Sequence, residues 1–138
     1  MILCAGLISG TSMDGVEAVL LEISGRAFKV RHGLHLDYPE DLARRLKHAV
    51  ARPDACGLDE YGALDAQVGD VFASAAAALF EQARVPAAGV RVIGSHGQTL
   101  LHRPRGAQRY TLQVGDPNRI AERTGIDVVA DFRRRDLA

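Results

Sequence analysis

Apolar and polar positions along the chain fall into runs of different period. Ile2 to Ile8 is a nearly unbroken apolar run closed by Ser9-Gly10, the pattern of a buried strand entering a tight turn. Gly15 closes that turn, and Val16 to Ile23 predicts a second strand with Glu17 and Glu22 embedded in it. Ser24-Gly25 is a hairpin signal, and Phe28, Val30, Leu34 and Leu36 predict a third strand, bulged at Gly33. The period then lengthens. Pro39 opens a helix to about Val50, with Leu42, Leu46 and Val50 four apart on one face. After Pro53 and Gly57, a longer helix is predicted from Leu58 to Ala83, its stripe running through Leu64, Val68, Phe72 and Leu79. Pro86 precedes a short buried strand, Val90 to Gly94. His96 to Gln113 reads as a loop carrying a small strand from Tyr110 to Val114. Asp116-Pro117 starts a helix that stops at Gly125, and Ile126 to Ala130 is a last strand. The order β-β-β-α-α-β-α-β predicts an α/β fold, a mixed sheet with helices on its faces.

Composition narrows the class. The 138 residues suit one domain, and 47% hydrophobic with 25% charged residues is ordinary for a globular one. Seventeen basic residues balance seventeen acidic ones, which argues against nucleic-acid and membrane partners, whose binding rests on a basic excess. Two cysteines make no disulfide framework, and Cys4 reads as a small buried hydrophobe. The N-terminus has no basic region of the signal-peptide kind, and no segment reads as the ~18 apolar residues of a transmembrane helix. The expectation is a reduced, cytoplasmic protein.

The chemistry concentrates in Gly6-Leu7-Ile8-Ser9-Gly10-Thr11-Ser12-Met13-Asp14-Gly15. Glycines let backbone N–H groups approach an anion, and hydroxyls add donors. A carboxylate beside a polyphosphate repels it unless a cation lies between, so Asp14 is the candidate Mg²⁺ ligand, direct or through water. The lysine of a Walker loop is absent. An ordinary hairpin turn uses the same residue types, and composition leaves that alternative open. Ser95-His96-Gly97-Gln98-Thr99 follows the predicted fourth strand, where Gln98 and Thr99 are candidate donors to sugar hydroxyls; a backbone-capping turn is the alternative. The stretch does not match the Gly-x-Ser-x-Gly elbow of serine hydrolases. In Asp131-Phe132-Arg133-Arg134-Arg135-Asp136, an arginine suits a carboxylate or phosphate, and a solvated charged face is the competing reading.

Four motifs in order resemble the anhydro-N-acetylmuramic acid kinases: Gly6 to Val16, Gly94 to Thr99, Leu112-Gln113-Val114-Gly115-Asp116, and Val129-Ala130-Asp131-Phe132-Arg133. The resemblance implies an actin, hexokinase and Hsp70-like (ribonuclease H-like) fold whose two lobes close on ATP. It implies an enzyme that opens the 1,6-anhydro ring of its amino sugar with water and phosphorylates O6, giving N-acetylmuramic acid 6-phosphate for cell-wall recycling. Carried over by motif, Gly10, Thr11, Ser12, Met13, Asp14, Gly15, Val16 and Glu17 form the ATP phosphate loop, with Asp14 at Mg²⁺. Gln98, Thr99 and Arg133 line the sugar side. At Glu17 the family more often has aspartate.

In the family the arginine motif continues into a glycine-rich segment, and the general base, second lobe and adenosine pocket lie beyond it. The resemblance thus puts the base downstream of Ala138. Residues 1–138 are therefore expected to be the N-terminal lobe, holding no catalytic base, and inactive alone. Surface left bare by the second lobe makes a homo-oligomer an expectation too. A non-catalytic binding or oligomerisation module on the same lobe is the competing function. A nuclease-like use of the fold ranks last, with only Asp14, Glu17 and Asp131 to converge.

Overall fold

A computed structural model describes residues 1–138. Three antiparallel strands come first: β1 (Ile2–Ser9), β2 (Gly15–Ser24) and β3 (Ala27–Asp37). The helices α1 (Glu40–Ala51) and α2 (Leu58–Ala83) follow. Then come β4 (Val90–Arg103), β5 (Tyr110–Val114), α3 (Pro117–Thr124), β6 (Val128–Ala130) and α4 (Phe132–Leu137). The six-stranded sheet runs β3-β2-β1-β4-β5, and β6 also pairs with β4. β4 is parallel to both β1 and β6, and β5 returns antiparallel along the later half of β4.

Alternation on the strands decides which face is covered. Ala5, Leu7, Val16, Ala18 and Leu20 point to one side and are buried there with Leu64, Val68, Phe72 and Leu79 of α2. Ala73, Ala75 and Ala76 keep that helix close, and Leu42 and Leu46 bring α1 into the same core. By length and composition α2 would suit a membrane span, contrary to the sequence reading. Its stripe is instead consumed by the sheet, since Leu64, Val68, Phe72 and Leu79 are all 0% exposed. Against the opposite face, a row of registered residues crosses the sheet: Gly33, Val19, Gly6, Gly94 and Val129. No long helix lies on that side; Phe132, at the start of α4, meets His96 there.

Local differences from the sequence reading have local causes. The bulge in β3 falls at Arg31, because Val30 pairs with Leu21 and His32 with Leu20; Gly33 pairs regularly with Val19. The hairpin between β2 and β3 turns on Gly25 (φ +61°) and Arg26, one residue later than predicted. Residues 95–99 are not a loop beyond a strand. They lie inside the 14-residue β4, which bends at Gly97 (φ +72°), where a Cβ would sit 2.5 Å from the Val114 carbonyl oxygen. The charged stretch after β6 forms α4, entered through Asp131 in the left-handed region (φ +61°). The observed order is thus β-β-β-α-α-β-β-α-β-α.

Candidate functional site

Because β1, β4 and β6 are parallel neighbours, their C-terminal ends meet at one edge of the sheet. Ser9 pairs with Gln98 and Ser95 with Ala130, so the turn after β1, the bend of β4 and the segment after β6 share that edge. Open α/β sheets bind ligands at such an edge.

The turn from Gly10 to Asp14 is built from short local contacts. Met13 adopts φ +52° and donates its backbone N–H to the Gly10 carbonyl (3.3 Å). Ser12 Oγ donates to Asp14 Oδ1 at 2.7 Å, and this bond holds the Asp14 carboxyl below its ordinary range. The Asp14 carbonyl accepts the Tyr38 backbone N–H at 2.8 Å, which ties the turn to the β3–α1 connection. Gly15 is required by close approach: a Cβ there would lie 2.3 Å from the Leu36 carbonyl oxygen and 2.6 Å from His35 Nε2. Gly10 faces open space, and Thr11, Ser12 and Asp14 are exposed. Asp14 is therefore an ionised, accessible carboxylate in a turn edged by hydroxyls.

Chain groups suit a Mg²⁺ bound chiefly through phosphate and water. Three or more acidic, histidine or cysteine side chains gather nowhere into a metal cluster, so Asp14 supplies one carboxylate at most. One or two carboxylates with phosphate oxygens is the usual magnesium arrangement.

Two residues assigned to the turn belong elsewhere. Val16 is 0% exposed and packs in the core, because alternation along β2 turns its side chain toward α2. Glu17 faces the opposite side, where it meets His35 Nδ1 at 2.6 Å; His35 Nε2 lies 3.1 Å from Asp37. The Glu17 hydrogen bond is the main reason the His35 pKa rises above its ordinary value, with the charges of Glu17 and Asp14 adding to it.

On β4, Gln98 is 2% exposed, and its carboxamide accepts from Ser9 Oγ (2.6 Å) and donates to the Thr99 carbonyl (3.1 Å). The bend at Gly97 directs it inward, where one of its two amide N–H groups is committed to Thr99. Thr99 is half-buried, and its hydroxyl accepts from Gln113 (2.9 Å). Arg133 in α4 is half-buried and forms no ion pair, whereas Arg134 pairs with Asp131. Ala138 is exposed and caps α4. Its N–H donates to the carbonyls of Arg134 (3.1 Å) and Arg135 (3.3 Å). From the sheet edge a cavity of about 810 Å³ runs along the uncovered face, floored by Gly6, Gly33 and Gly94. His35 and Glu17 wall one side of it, His96 and Phe132 the other. The sequence reading passed over His35 and Tyr38, and it set Ser9 in the candidate turn without its tie to Gln98. Only Tyr38, set between a strand and Pro39, carried a hint, as a large polar-tipped ring at a junction.

The profile of the anhydro-N-acetylmuramic acid kinase family matches residues 2–138. The chain belongs to that family. An anhydro-N-acetylmuramic acid kinase of Shewanella denitrificans is 47% identical over 133 residues, covering 96% of this chain and 36% of its own length. Relatives of the same description from Shewanella woodyi and Sulfurovum sp. are 50% and 41% identical, with the same coverage. The chain thus spans about a third of the length of the curated relatives it matches. Membership places its mixed sheet among actin- and hexokinase-like lobes, in agreement with the strand order described above.

Proposed function

We propose that this chain is the N-terminal, phosphate-handling lobe of an ATP-dependent kinase acting on 1,6-anhydro-N-acetylmuramic acid. In the overall reaction, a water oxygen bonds to C1 and its proton passes to a base. The C1–O6 bond breaks, and O6 takes the γ-phosphoryl group, releasing ADP. The lobe's own part is positioning and charge placement, which phosphoryl transfer mostly requires. Backbone N–H groups and the Thr11 and Ser12 hydroxyls of the turn receive the terminal phosphates. Asp14 holds Mg²⁺, and Thr99 and Arg133 face the sugar side. Mg²⁺ neutralises charge on the phosphates when bound. The observation that carries this reading is the meeting of turn, β4 bend and Arg133 segment at one end of three parallel strands.

No group on this chain is assigned the base. A general base typically contributes ~10²–10⁴-fold, so the 138 residues alone bind without turning over. The free cysteines Cys4 and Cys56 suit the reducing cytoplasm, where cell-wall fragments are recycled in this reading. Titration calorimetry tests the proposal directly. Mg·ATP is expected to bind the chain, with affinity falling about tenfold in Asp14→Asn, the scale of one lost charge-assisted contact. Binding unaffected by Asp14→Asn, or phosphorylated sugar formed by the purified chain, counts against it.

A further inference from the structure

The turn after β1, the β4 bend and the β3–α1 connection meet at one buried point that the nucleotide and sugar do not explain. Ser9, the last residue of β1, sends its hydroxyl proton to Gln98 at the β4 bend (2.6 Å). Both side chains are nearly sealed, at 3% and 2% exposed. Tyr38 is 6% exposed; its backbone N–H holds the Asp14 carbonyl, and its ring reaches beneath the turn toward Ser9. The phenolic oxygen completes no hydrogen bond of ordinary geometry, although it is buried. Buried hydroxyls without a partner are uncommon, and their cost needs a reason. Ser9 Oγ, its proton committed to Gln98, retains lone pairs that can accept the phenolic proton. Small movements of the turn would complete a relay from Tyr38 through Ser9 to Gln98.

We infer that Ser9, Gln98 and Tyr38 are positioning residues, a buried polar tether fixing the Gly10–Asp14 turn at a set distance from Thr99. Gln98 then serves by holding two segments together. Its place beside the sugar-side residues reflects that job. This use in catalysis rests on the phosphate-turn reading, but the tether is tested without nucleotide.

Native-state amide hydrogen exchange of the 138-residue chain is the measurement. In Ser9→Ala, the Met13 and Tyr38 amides should exchange roughly five- to tenfold faster, the scale of one net hydrogen bond, while α2 amides keep their rates. Ser9→Thr, which keeps a hydroxyl, should restore protection. If Ser9→Ala instead loosens the whole fold, Tyr38→Phe decides. It removes only the phenolic end of the relay, so the α2 amides should keep their rates while the same turn amides exchange at least ~threefold faster. Parent exchange rates at Met13 and Tyr38 in Tyr38→Phe, or in a folded Ser9→Ala, overturn the tether. That outcome leaves the phosphate assignment standing, because the latter falls only with the Asp14→Asn binding result.

Discussion

Tyr38 and His35 flank the turn, and their environments push them in directions that titration can read. Burial raises the Tyr38 phenol to about 12. The folded state therefore keeps a proton that the unfolded chain releases near pH 10. Stability from this group is intact below pH 10 and is lost as pH climbs toward 12, amounting to about 2–3 kcal/mol. Absorbance at 295 nm should show one tyrosine that ionises only as the protein unfolds; its early, reversible ionisation would contradict the burial. His35 also has a raised pKa, but through charge-assisted bonding at the surface, first of all to Glu17. Its stabilising contribution is full below pH ~6.5 and disappears as pH rises through the higher folded value. An NMR titration should find its midpoint above the free-histidine value, and Glu17→Gln should bring it down.

Between elements, a close contact lies where α2 meets the start of α3. Asp116 caps α3 by accepting the Asn118 N–H (2.9 Å), and its own N–H donates to the Asp65 carbonyl (3.1 Å). Asp65 Oδ1 in turn accepts the Gly115 N–H at 2.8 Å. Gly69 allows this approach, since a Cβ there would lie 2.9 Å from the Asp116 carbonyl oxygen and 3.0 Å from its nitrogen. Alanine in a helix interior normally gains ~1 kcal/mol over glycine. Here backbone, which cannot swing aside, receives the added methyl group. Gly69→Ala should therefore destabilise by about 1–3 kcal/mol in denaturant unfolding. A more stable variant would mean that α3 can shift freely. Much at this scale was legible beforehand. The α2 stripe and the Asp116-Pro117 start followed from period and capping chemistry, which act within a few residues. The extension of β4 through residues 95–99 was not legible, because its partners, β1 and β5, lie far off in sequence.

The whole molecule is lopsided: α1, α2 and α3 share one core, and the other sheet face is left largely bare. Phe28 is 72% exposed there and Val129 56%, on the same face as the glycine-floored cavity. Apolar surface of this kind commonly marks an interaction site. The isolated chain should self-associate with rising concentration in sedimentation velocity, and Phe28→Lys with Val129→Lys should make it monomeric. As surface changes, they should alter stability by only about 0.5 kcal/mol each. A monomer at every concentration would show that the bare face is tolerated in water.

By itself, the sequence determined most of the element types, the core stripe, the glycine- and hydroxyl-rich turn before β2 and the family. Those depend on residue order over short windows, or on motifs taken in series. Only the tertiary structure decided which side chains reach the site. Alternation on β2 sent Val16 into the core and Glu17 to the open face, and the Gly97 bend turned Gln98 inward to Ser9. Facing direction depends on strand register, and register is set by partners distant in the chain.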